Sequence, residues 1–107
     1  MTRTSIVFVT AGNADEASAI AGRLVEERMV ACVNLVPHIR SIYRWKGEIC
    51  DEQEYLMIMK TRSSLVPALE KRVRELHSYE VPEVIAIPIK EGLAEYIKWI
   101  LENTKEL

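Results

Sequence analysis

"VACVNLVPHIRSIYRWKGEICDEQEYLMIMKT", Val30 to Thr61, is the stretch on which the fold turns. It is dense in β-branched and aromatic residues and has the wrong composition for a helix. Lys46-Gly47 near its middle supplies a turn, so the segment reads as one hairpin with arms of about fifteen residues each. Pro37 has no N–H to donate to a ladder, which predicts a bulge or kink in the first arm.

Shorter elements surround this hairpin. "SIVFVT", Ser5 to Thr10, reads as a buried strand. Asn13 and Glu16 have the spacing of a capping box, and Ala17, Ile20, Ala21, Leu24 and Val25 then repeat at helical intervals up to about Met29. After the hairpin, Ser64 is a candidate helix cap and Pro67 is tolerated only in a first turn. Leu65, Leu69, Val73 and Leu76 form the stripe of that second helix. "EVIAIPI", from Glu83 to Ile89, is a fourth strand, and Leu93, Tyr96, Ile97, Ile100 and Leu101 mark a third amphipathic helix. The order β-α-β-β-α-β-α begins with the split β-α-β pattern of ferredoxin-like folds. We therefore expect one α+β domain over residues 1–107, with helices on one face of an antiparallel sheet.

Composition narrows the function. A chain of 107 residues, 49% apolar, suits a single domain with a core of its own. A net charge of −2, with basic residues alternating with acids, gives no stripe for nucleic acid. No apolar run is long enough to span a bilayer, and the apolar stretch near the N-terminus is too short for a signal peptide. The two cysteines, Cys32 and Cys50, do not make a disulfide framework, so the expectation is a cytoplasmic protein with free thiols. No GxGxxG, Walker loop, CxxC or HExxH is present, and no nucleophile has an evident His-carboxylate partner. We expect no enzyme.

The hairpin is too long for its neighbours. An arm of fifteen residues reaches ~50 Å, against ~20 Å for a six-residue strand. The overhang carries Ile39, Ile42, Tyr43, Trp45 and Ile49, apolar surface and open edges that a second chain would cover.

Several side chains are candidates for chemistry. His77, in "HSYEVPE", combines a soft imidazole with a loop-edge position suited to copper or zinc, with Glu80 and Glu83 near in sequence. The competing role for His77 is capping helix carbonyls. Pro82 biases Val81 to extended geometry, so the same segment also reads as the joint that launches the fourth strand. Cys32 is a strong Cu(I) or zinc ligand as a thiolate, or a small buried hydrophobe in mid-strand. Cys50 lies among acids that disfavour its thiolate, and Met57 and Met59 share one strand face as packing residues. His38, beside Pro37, is expected to be exposed. Tyr43, Trp45, Lys60, Tyr79 and Glu80 form a second constellation, suited either to a small-molecule cleft at a subunit boundary or to interface packing.

"ACVNLVP", "SIYRWKGEI", "EYLMIMKT", "HSYEVPEVIAIPI" and "GLAEYIKWI" resemble, in order, the signature segments of the CutA divalent-cation tolerance family. The match covers nearly the whole chain. The resemblance implies a ferredoxin-like subunit in a compact homotrimer, with strands of adjacent subunits joined in intermolecular sheets. It implies a cytoplasmic protein linked to copper and other divalent metals, and no settled reaction. The trimer of that family is similar to that of the PII nitrogen-signalling proteins, so a PII-like trimer binding a small ligand between subunits is the alternative. Cys32 matches the cysteine of the family's "ACVN" segment. Some relatives carry a cysteine near Val9 and a second histidine at Leu76. Both positions are apolar here, which leaves a metal site at His77 weaker or completed by another subunit.

Overall fold

Four antiparallel strands and three helices make up the computed structural model, which describes residues 3–106. They run β1 (Thr4–Ala11), α1 (Ala14–Glu26), β2 (Cys32–Trp45), β3 (Glu48–Arg62), α2 (Val66–Leu76), β4 (Val84–Pro88) and α3 (Ala94–Glu102). The sheet order is β2-β3-β1-β4, with both β1 pairings antiparallel, as the split β-α-β pattern requires.

One sheet face builds the core. Val7, Val9 and Ala11 of β1 and Met57 and Met59 of β3 point the same way because strand side chains alternate. They meet Ile20 and Leu24 of α1 and Leu69 and Val73 of α2, all buried. The methionine pair is therefore packing.

Helix α1 starts where Asn13 Oδ1 accepts the Glu16 N–H at 2.8 Å. The reciprocal half of the capping box goes elsewhere: Glu16 Oε2 accepts the N–H of Ser78 at 2.8 Å. The helix ends at Glu26, before Met29, because Arg28 turns left-handed (φ 59°). Met29 N–H then donates to the Leu24 carbonyl and Arg28 N–H to that of Val25, a Schellman closure without glycine. Val25, expected in the buried stripe, points to solvent. Ser64 caps nothing: it lies in a single 3-10 turn, Ser63–Leu65, that leads into α2, and the neighbouring Ser63 hydroxyl pairs with that of Ser5.

The ends of α1 and α2 are tied by Arg72, whose Nε and Nη2 donate to Glu27 Oε1 and Oε2 at 2.8 and 2.7 Å. The hydrogen bond from Arg72 holds the Glu27 carboxyl at about 2, below its ordinary 4.5. A depressed folded-state value means that the pair stabilises the fold above about pH 4.5 and that this is lost as pH falls towards 2. Glu27→Gln should therefore be less stable than wild type at pH 7, with the gap closing by pH 2. A gap that is independent of pH in urea melts would assign the effect to packing instead.

The hairpin is as long as its composition implies. Trp45 faces Glu48 across a two-residue turn, with Lys46 at φ 49° and Gly47 at φ 82°. Its register slips between Val36 and Ile39, around Pro37, and His38 takes φ 57° there with its side chain exposed. Strand β1 pairs β3 only from Tyr55 to Arg62, so everything from Ile39 to Glu54 projects past β1. Ile42 and Ile49 on this projection are 63% and 71% exposed.

The second sheet face differs from expectation. Helix α3 does not join α1 and α2. It packs on β1 and β3 from the opposite side, where Arg62 Nη2 donates to the Leu101 carbonyl at 2.6 Å. Of its apolar stripe only Ile100 is buried, while Leu93, Tyr96 and Trp99 remain exposed. Helix α3 covers one end of that face. Ile85 and Ile87 of β4, which flank Phe8 and Ile6 there, stay 53% and 50% exposed.

Candidate functional site

The segment after α2 positions two neighbouring features. Helix α2 stops at Leu76, and His77 takes an extended conformation as its C-cap. The side chain of His77 turns inward and is buried. Its Nε2 lies 2.7 Å from the Thr10 carbonyl, and its Nδ1 lies 3.0 Å from the Tyr79 N–H. A carbonyl only accepts and a backbone N–H only donates. The ring is therefore the neutral Nε2–H tautomer with both nitrogens engaged.

This corrects two expectations. The imidazole bonds a strand carbonyl rather than helix carbonyls, and neither nitrogen is free for a cation. The carboxylate beside it is Glu16, 3.9 Å from Nδ1, not Glu80 or Glu83. Burial alone would push the Glu16 carboxyl up, but hydrogen bonds from Ser78 outweigh it and hold it below the ordinary value. Among the described residues no three His, Cys, Asp or Glu side chains converge to hold a metal ion. Within one protomer the side chains do not fit a ready-made metal cage.

Cys32 is half-buried on the face shared with α3, its Sγ 3.7 Å from the Tyr96 hydroxyl. Lys60 is its register partner and bonds the side chain of Asn34. Cys50 lies opposite Tyr43 on the projecting hairpin.

The other feature is a cleft of about 730 Å³ between that hairpin and the segment from Tyr79 to Glu83. It brings together Tyr43, Trp45, Tyr79 and Glu80 of the constellation read from the sequence. Lys60 is not in it. Glu54, Glu83 and Arg40 line it as well. Tyr79 donates its hydroxyl to Glu54 Oε2 at 2.7 Å, and Tyr43 donates to Glu52. Burial and then the Glu54 carboxylate push the Tyr79 phenol up, and burial and then Glu54 push the Glu83 carboxyl up. Gly12 makes room for this ring: a Cβ there would come within 3.1 Å of the Tyr79 hydroxyl.

Residues 5–103 match the family model of the CutA1 divalent ion tolerance protein. The chain belongs to the CutA1 divalent ion tolerance family. It is 50% identical over 99 residues to the divalent-cation tolerance protein CutA of Thermus thermophilus, covering 92% of this chain and 96% of that protein. It is likewise 50% identical to the human protein CutA over 103 residues, which are 96% of this chain but 58% of that longer protein. Among solved structures, CutA1 from Oryza sativa superposes with a TM-score of 0.95 at 42% identity, covering 99% of this chain and 97% of that one. The Thermus thermophilus divalent cation tolerance protein superposes with a TM-score of 0.92 at 48% identity, covering 95% and 99%.

Within this CutA1 fold, Glu54 is the most buried of the acidic cleft residues that the constellation read from the sequence lacked. It sits in the acidic run "EICDEQE", where nothing separates it from its solvated neighbours. Only the register with Ile39 and the reach of Tyr79 make it 6% exposed.

Proposed function

We propose that this CutA1 chain acts in divalent-cation tolerance as a homotrimer that binds copper, and other divalent cations less well, with modest affinity. The observation that carries this reading is membership of the family over residues 5–103. The half-exposed face of β4 and the projecting hairpin support assembly, since both leave apolar surface that a monomer would expose to water. No reaction is assigned, because the family's description names none. The cytoplasm is the compartment this reading assigns, on the strength of two free cysteines. Among the described residues no helix is long and apolar enough to cross a membrane.

Modest affinity follows from the site. Copper at His77 must displace the Tyr79 N–H or the Thr10 carbonyl, and breaking a buried hydrogen bond costs about 1 kcal/mol or more. Isothermal titration of wild type, His77→Ala and Cys32→Ala with copper(II) and zinc tests it. Copper should bind ahead of zinc, and His77→Ala should weaken it about tenfold or more. Equal binding by His77→Ala would move the site to Cys32, and indifference to both substitutions would end the metal reading.

The second reading is a PII-like signalling trimer that takes a small ligand between subunits. The cleft of Tyr43, Trp45, Tyr79 and Glu80 favours it, being of small-molecule size and walled by aromatics with polar groups among them.

A further inference from the structure

We infer that the cleft between the projecting hairpin and the Tyr79–Glu83 segment takes a small organic cation, an amine or quaternary ammonium, rather than an anion or a metal ion. The inference rests on the small-ligand reading and states its chemistry.

Charge in the cleft is one-sided. Arg40, its guanidinium, is already neutralised by a two-point pair with Asp51 at 2.8 and 2.6 Å. Glu54 is more than nine-tenths buried, with one carboxylate oxygen held by Tyr79 and no ion pair among the described residues. Its other oxygen has no hydrogen-bond donor there either. The second Glu54 oxygen is therefore the acceptor left to meet a ligand, and a cation entering the cleft can pair with it. Burial first, and then the Glu54 charge, push the Glu83 carboxyl up beside it.

The walls select among cations. Trp45 and Tyr43 line the cleft, and aromatic rings attract ammonium groups through the ring quadrupole. The protein's own Lys46 already stands in for such a ligand at the rim: its Nζ lies 5.8 Å from the Trp45 ring centroid and 3.6 Å from Glu80 Oε2. Lys46 is well exposed and, among the described residues, its one ion pair is that surface pair, which is weak enough to yield. A divalent metal would need several oxygen ligands converging on one point, and no such trio exists among the described residues. A nucleotide would bring phosphates against Glu54, Glu80 and Glu83, which repel them.

Titration of the full-length protein with spermidine, tetramethylammonium and ATP tests this, using wild type, Glu54→Gln, Glu83→Gln and Trp45→Leu. Glu54→Gln keeps an acceptor for Tyr79. Sedimentation of each variant checks that it still assembles. Spermidine and tetramethylammonium should bind, more weakly as salt rises. Removing either carboxylate charge should weaken binding about tenfold, and removing the indole roughly fivefold. Binding of ATP alone, lost in Trp45→Leu, would overturn the cationic class while leaving the cleft as a ligand site. No binding of any probe would overturn both. Cation binding untouched by all three substitutions would place it on the general surface and overturn the proposal.

Discussion

Ile87→Lys is expected to break the proposed trimer into monomers in sedimentation at micromolar concentration. Ile87 is 50% exposed in the isolated protomer, beside Ile85 at 53%. In a monomer a lysine there is a surface change, worth within about 0.5 kcal/mol. In an interface built on this face it buries an unpaired ammonium, which costs several kcal/mol per site. The two cases differ enough for one substitution to separate them. Wild type should sediment at three times the 12.3 kDa of one chain. A wild-type protein of monomer mass would end the trimer reading. An unchanged trimer in Ile87→Lys would place the contact away from β4.

His77→Ala is expected to destabilise the protomer by ~3 kcal/mol in urea unfolding, whether or not metal is present. The substitution removes the Nε2–H donor to Thr10 and the Nδ1 acceptor for Tyr79 N–H, a buried hydrogen bond at 2.7 Å and a part-buried one at 3.0 Å. Each group left without a partner costs ~1–3 kcal/mol, and the lost ring adds a cavity term. The His77 and Tyr79 rings also lie 4.5 Å apart, so the change loosens the ring that holds Glu54. Loss of less than about 0.5 kcal/mol would mean that water replaces the imidazole, and that the ring is not a structural joint. A stability loss with copper affinity unchanged would assign His77 to the fold alone.

Much of the fold was legible because local signals agreed with each other. Pro37 marked a bulge, Lys46-Gly47 marked the turn, and the stripe of α2 had the right period. The outward position of Val25 was not legible because it lies at the edge of the α1 stripe, and the early end of α1 was not legible because a left-handed Arg28 made it without the glycine that usually announces one. Nor was the cap of α2: Ser64 has the right chemistry, but a 3-10 turn placed Leu65 at the cap position instead. The cleft was legible in four of its residues, Tyr43, Trp45, Tyr79 and Glu80, because aromatics near charged groups suggest a pocket wherever they lie. Lys60 belonged to the same pattern by type and fell outside it by position.

By itself the sequence determined the element order, the length of the hairpin and the family. These depend on residue type and spacing along the chain, and neighbouring residues report both. Tertiary structure alone decided which atoms meet. His77 reads as a free ligand until Thr10 and Tyr79 occupy both its nitrogens, and Glu54 reads as one more solvated acid until Tyr79 reaches it. A hydrogen bond across 67 or 25 residues leaves no periodic trace in the chain. It forms only when strand register and the path of the α2–β4 segment bring donor and acceptor within about 3 Å of each other.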